Sequence, residues 1–264
     1  MCGRYELSSH PTAVALAFGL AHAPDIHPRY NIAPTQQVPI VRINRAGERE
    51  LVQVRWGLVP RSAKDPSIGV RMINARAETL TIKGAFRNAY ARHRCLVPVN
   101  GFYEWQPGAR GKQPLHIGMP DGRPFGLAGL YERWLSHDGE VLDTCTIVTA
   151  PACDALRGVH DRMPVIVPPS QYARWLDGSR QDVGDLLVPW EAALRIYPVS
   201  KRVNTVANDD AQLCEPIEVQ EPPPPAPPPA TPAAPTAARS PREAHEVTDE
   251  APVENHDPVQ QSLL

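Results

Sequence analysis

The chain of 264 residues contains no apolar run approaching the ~20 residues that a membrane-spanning helix requires. Its first ten residues, MCGRYELSSH, hold no hydrophobic stretch of the secretory type, so export is not expected and a cytoplasmic protein is. A cysteine rather than a glycine follows Met1, which excludes N-myristoylation. Cysteine is scarce and odd in number: Cys2, Cys95, Cys145, Cys153 and Cys214, with no pair at C-x-x-C spacing. That argues against a zinc or dithiol motif and against a disulfide framework. No metal and no cofactor is expected. Most of these cysteines read as small core residues. There is no internal repeat, and the strand candidates lack the regular helical crossovers of a doubly wound sheet.

What is present divides into two parts. From Pro216 to Leu264 there are eight acidic and two basic side chains, a net of −6, which leaves a body of net +4. Thirteen of the 31 prolines also lie after residue 215. A segment such as EPPPPAPPPATPAAPTAARSP favours extended polyproline conformations and cannot bury a core, so 216–264 reads as a disordered tail, a solvated linker or a partner-binding segment. The body, 2–215, reads as a single α+β domain rich in strands. VPIVRI and ELVQVRWG flank a turn-forming NRAGER, and CLVPV, GFYEW, PLHIGM, FGLAGLYERWL and TCTIVTA follow as strands. Helices fit at 11–19, around 85–93 and at 170–177. A mildly basic body is compatible with nucleic-acid binding.

Four stretches place reactive groups beside strands or turns. In MCGRY, loss of Met1 would leave Cys2 with a free α-amine and a thiol on adjacent carbons, although a cysteine near a frayed terminus is the plainer reading. In MINARAET, Asn74 and Arg76 share a face if the segment is extended; Asn74 could equally cap a turn. In GFYEW, Glu104 shares a face with Phe102 and is flanked by Tyr103 and Trp105, a setting that can raise a carboxyl pKa towards a value useful for proton transfer. In GVHDRMPVIV, His160 precedes a strand and could act on a proton or merely bond the backbone.

Taken in order, MCGRY, RYNIAP, WGLVP, INARAET, RCLVPVNGFYEW, TIVTAPA and HDRMPVIV resemble the SOS-response-associated peptidase (SRAP) family over roughly residues 2–210. The resemblance implies a protein that senses abasic sites in single-stranded DNA and crosslinks to them through the N-terminal cysteine. It implies Cys2 as nucleophile after removal of Met1 and Asn74 as a hydrogen-bonding group at the terminus. It implies Glu104 in acid/base steps and His160 acting on the opened sugar. Arg4, Arg76 and Arg162 would hold phosphates, and Asn31 and Pro34 would line the DNA channel. A monomer is expected, with strand-cleaving lyase activity and self-release of Met1 open to the same site. One departure stands out. Where the family commonly carries a tryptophan after WGLVP, this chain reads RSAKDP, leaving Arg61 and Lys64 to supply backbone contacts. Two other classes remain open. An N-terminal-nucleophile glutamine amidotransferase also begins Met-Cys-Gly, and Asn100-Gly101 would be its oxyanion pair. A non-catalytic sensor of single-stranded DNA could keep the fold without the reaction.

Overall fold

A computed structural model describes residues 2–108 and 111–219. The elements run β1 (Tyr5–Leu7), α1 (Pro11–Phe18), β2 (Arg29–Ile32), β3 (Gln37–Ile43), β4 (Arg49–Trp56), β5 (Asn74–Arg76), α2 (Gly84–Arg92), β6 (Arg94–Val99), β7 (Gly101–Gln106), β8 (Gln113–Gly118), β9 (Phe125–Leu135), β10 (Val141–Pro151), β11 (Arg162–Pro164), β12 (Ile166–Val167), α3 (Tyr172–Leu176) and β13 (Arg195–Pro198). This is the strand-rich α+β architecture expected. Every strand and helix read from the sequence has a counterpart. The additional ones, β1, β2, β5 and β13, are three or four residues long, too short to show an alternating pattern.

Local chemistry explains the boundaries. The β3–β4 hairpin turns where Asn44 Oδ1 accepts from the amides of Ala46 and Glu48 and Gly47 takes a left-handed φ of 84°. Helix α1 starts at Pro11, with His10 Nδ1 accepting from Thr12 N, and ends on Gly19 in the αL conformation. In α2 the apolar stripe Phe86, Ala89, Tyr90 faces the core at helical spacing.

The strands form two sheets. One has the order β13-β8-β7-β1-β2. The other runs β11-β10-β4-β3-β6-β9-β12, and a further β9–β10 pairing closes β10, β4, β3, β6 and β9 into a barrel. Strand β10 is its hub. It pairs antiparallel with β9 and β11 and parallel with β4 and β5, and Thr144–Ala150 are all buried. A large apolar core joins the sheets, with the Tyr5 and Trp56 rings 5.2 Å apart. The described residues pack as one unit. Past residue 215 the backbone still returns to the body: Pro216 bridges Val199, and Ile217 N donates to Pro198 O at 3.0 Å. The rest of the proline-rich tail lies outside the described residues.

Strand β5 carries Asn74, and three contacts with the end of β4 set its position. Trp56 Nε1 donates to Ile73 O at 2.8 Å, and Leu58 N to Met72 O at 3.1 Å. Gly57, at φ 130°, lies so close to Gly69 that a Cβ on Gly69 would stand 2.5 Å from Gly57 O. Backbone meets backbone there, and no side-chain rotation can relieve it. Gly69→Ala should therefore cost about 1–3 kcal/mol, the usual cost of overpacking. Gly84→Ala, whose Cβ would meet nothing within 4 Å, should leave the melting temperature unchanged or slightly raised. Thermal denaturation of the two variants checks this, and equal melting points would contradict it.

Candidate active site

Antiparallel pairing brings the start of the chain to the site. Tyr5 lies opposite Phe102, and Tyr103 N donates to Arg4 O at 2.9 Å. Continuing that register sets residues 2–3 alongside Glu104 and Trp105. Cys2 is wholly buried. Its carbonyl accepts from Asn74 Nδ2 at 2.8 Å. The buried Oδ1 of Asn74 has no hydrogen-bond partner among the described residues, which leaves it available to a donor at the terminus.

Burial sets the electrostatics. It pushes the Cys2 thiol far above its ordinary range, the Glu104 charge adds to this, and the N-terminal ammonium and the Arg4 amide oppose it. Cys2 is thus held as a thiol and not a thiolate. Glu104 is 4% exposed. Burial raises its carboxyl too, and the N-terminal ammonium and Lys112 only partly offset this. His160 is shifted the other way: burial, then the N-terminal ammonium, lowers it, with Asp161 opposing. The positive charge at the start of the chain, which before processing belongs to Met1, enters the shifts of all three groups. His160 Nδ1 faces both the Arg162 amide at 3.0 Å and Asp161 Oδ1 at 2.7 Å. A neutral ring suits the first partner and a protonated ring the second.

The other expected residues fall into two groups. Arg76 is exposed and follows Asn74 on β5, where Ile147 pairs with Asn74 and Thr149 with Arg76. Arg162 sits close by. It makes a two-pronged pair with Glu78 at 2.5 and 3.0 Å and also donates to Thr149 O at 2.6 Å. Arg4 and Asn31 form an internal latch. Arg4 donates to Asn31 Oδ1 and Val203 O, both at 2.7 Å, and its guanidinium lies over the Trp105 ring. Asn31, 1% exposed, donates to the carbonyls of Val203, Thr205 and Asn208. Its amide faces the 203–208 segment and not an open groove. Pro34 is half-buried, and Thr35 after it takes φ 72°, a conformation rare for a β-branched residue. Asn100 is a staple: it accepts from the amides of Ser8 and Ser9 and donates to Ser9 Oγ and Gly122 O. With its amide committed in this way, it is not placed as an oxyanion donor for Cys2. Lys112, Glu78 and Thr149 carry no signal in the sequence. Only their spatial neighbours mark them.

In this strand-rich α+β domain a buried cysteine at position 2, an asparagine amide bonded to its carbonyl and a buried glutamate lie near the start of the chain. Residues 1–206 match the family described as SOS response associated peptidase (SRAP). The chain is 38% identical over 223 residues to the abasic site processing protein YoqW of Bacillus subtilis, covering 81% of this chain and 99% of that one. It is 31% identical over 229 residues to the abasic site processing protein HMCES of Gallus gallus, covering 74% and 68%. Among solved structures, a protein from Bordetella bronchiseptica is 29% identical with a TM-score of 0.66, over 75% of this chain and all of that one. One from Bacteroides thetaiotaomicron, at 24% identity, shares the fold with a TM-score of 0.74 over 82% of this chain and all of that one. The chain belongs to the SRAP family.

The raised Glu104 carboxyl bears on stability. A carboxyl whose folded pKa lies above its unfolded value binds protons preferentially when folded. Its contribution is therefore fully present below the ordinary carboxylate pKa and is lost as pH rises through the raised value. Glu104→Gln, which removes the ionisation, should melt higher than the parent at pH 7, and the gap should close on acidification towards pH 4.5. Melting curves across pH test this. A variant less stable at pH 7 than at pH 4.5, relative to the parent, would contradict it.

Proposed function

We propose that the protein captures abasic sites in single-stranded DNA as a covalent thiazolidine on Cys2, which becomes the terminal residue once Met1 is removed. The observation that carries this reading is the convergence of Cys2, Asn74, Glu104 and His160. Relatives named abasic site processing proteins support it.

The chemistry follows from the protonation states. An abasic sugar equilibrates between a closed ring and an open aldehyde. The thiol of Cys2 is held protonated, so the amine attacks first. An α-amine has a reference pKa of about 7.7–8.0, so roughly a tenth to a sixth of it is neutral near pH 7. It adds to the aldehyde carbon, and the resulting carbinolamine loses one water to give an imine. Glu104, protonated to higher pH than an ordinary carboxyl, supplies the proton for that loss. The sulfur then adds to the same carbon, its proton passes to the nitrogen, and a five-membered ring closes. Holding both nucleophiles on one residue gives this closure the advantage of an intramolecular reaction, of order 10⁵ M or more. His160 serves the opening of the sugar, and Asn74 holds the Cys2 carbonyl so that the terminus faces the sugar. The imine also acidifies the adjacent sugar proton, so strand cleavage is a side reaction of the same intermediate. Release of Met1 by this site would account for the peptidase in the family's description.

Arg76, exposed on β5 two residues after Asn74, is the first phosphate contact in this reading. Arg162 joins it by exchanging Glu78 for phosphate. Arg4 and Asn31 act from behind, by holding the 203–208 segment. Lacking an aromatic in RSAKDP, the chain would depend on backbone charge from Arg61 and Lys64, and binding would be correspondingly sensitive to salt. The protein would act as a monomer.

The test is a time course with single-stranded abasic, duplex abasic and intact oligonucleotides, read on a denaturing gel. A heat-stable adduct should form with the single-stranded abasic oligonucleotide and not with intact DNA. It should be absent in Cys2→Ala. In Glu104→Gln it should form about 10²–10⁴-fold more slowly with little loss of final yield, as expected for removal of a general acid. A parental adduct in Cys2→Ala would overturn the mechanism, and equal capture from duplex would overturn the single-strand preference.

A further inference from the structure

The five-stranded sheet has a second face, opposite the core side that holds Phe102 and Glu104. Alternation along β1, β7 and β8 sends Glu6, Tyr103 and His116 to that face. The C-terminal segment covers it, with Val199, Val203 and Leu213 packed on Tyr103. Under this cover lies a cluster the proposed chemistry does not use. One ligand-type atom from each of Glu6, His116 and Cys214 lies within 4.8 Å of the other two.

Three features make this a constructed site. First, His116 is 6% exposed, yet neither ring nitrogen has an in-line hydrogen bond. Its Nε2 stands 3.3 Å from Glu6 Oε2. A tetrahedral zinc ion with bonds of about 2.0–2.3 Å sets its ligand atoms about 3.3–3.8 Å apart. Second, the ring is seated in a slot. A Cβ on Gly101 would lie 2.3 Å from both Cε1 and Nε2, and the Tyr197 ring stacks on the imidazole at 5.0 Å and 28°. Third, the donors around the cluster are already oriented. Ser8 Oγ donates to Glu6 Oε1 at 3.0 Å and Tyr103 Oη lies 3.1 Å from Cys214 Sγ, while Cys214 Sγ and Glu6 Oε2 hydrogen-bond each other directly, a contact that a bound ion would replace. Outer partners of this kind fix ligand orientation in metal centres.

We propose that Glu6, His116 and Cys214 bind a divalent transition cation of the zinc class. The sulfur–nitrogen–oxygen donor set suits a borderline-soft ion and disfavours calcium or magnesium. Cys214 Sγ forms the metal–sulfur bond and its thiol proton passes to solvent. The fourth position opens on a cavity of about 130 Å³ lined by Ser8, Asn100, Arg195 and Tyr197, with room for a water ligand. The ion would tie the C-terminal segment to the sheet behind Glu104 and so brace the candidate active site from its far side.

Cobalt(II) reports on such a site, because a cobalt–thiolate bond absorbs in the near ultraviolet. In the full chain carrying Cys2→Ala, which removes the thiol at the candidate active site, Co²⁺ should bind at one equivalent with a thiolate charge-transfer band that Zn²⁺ displaces. Adding Cys214→Ser should abolish the band, and Glu6→Gln or His116→Gln should weaken binding about tenfold or more. In the unsubstituted chain, Zn²⁺ should slow alkylation of Cys214, read by peptide mass spectrometry, a measurement that needs no variant to fold. Absence of the band, its persistence in Cys214→Ser, or alkylation of Cys214 unaffected by Zn²⁺ would overturn the proposal.

Discussion

The hydrogen bond from Asn74 Nδ2 to the Cys2 carbonyl, at 2.8 Å, fixes where the chain begins. A terminus is ordinarily the least constrained part of a domain. Here Cys2, the second residue, is wholly buried, and the rest of the architecture serves that placement. The barrel strand β10 positions β5, and β5 presents Asn74. The indole of Trp56 and the Gly57–Gly69 contact hold the segment leading into β5. From the other side, β1 on β7 delivers the first residues to Glu104. The site lies where two sheets meet, and each contributes one side of it.

Burial then differentiates groups that would behave alike in water. The same desolvation pushes the Cys2 thiol and the Glu104 carboxyl up and the His160 imidazole down. One environment thus shifts the three groups in the directions that the proposed reaction uses. The cost is a carboxyl whose ionisation opposes folding. The internal latch of Arg4 and Asn31 with the 203–208 segment, and the cluster around His116, buttress the sheet on its other face.

Much of this was legible in the sequence. The long strands announce themselves by alternation and by the turn residues between them. Cys2, Asn74, Glu104 and His160 stand in recognisable local settings. What sequence could not show is which polar groups are consumed internally. Arg4 and Asn31 read as DNA contacts, and each also bonds into the 203–208 segment, 172 to 199 residues on in sequence, which has no motif of its own. Arg162 likewise has its charge already engaged by Glu78. Glu6, His116 and Cys214 come from a strand near the start, a central strand and the end of the body, so no spacing rule could join them. The absence of C-x-x-C pairs gave no warning of a site built from three distant residues.

Everything in the proposed reaction depends on Cys2 supplying both atoms of the ring. The most direct measurement is the mass of the N-terminal peptide recovered after reaction with abasic single-stranded DNA and digestion of both chains. Thiazolidine formation predicts a peptide that begins at Cys2, lacks Met1 and carries the sugar remnant with the loss of one water, its thiol resistant to alkylation. A peptide that retains Met1, or a sugar remnant attached to a lysine with the Cys2 thiol still free to alkylate, would contradict it.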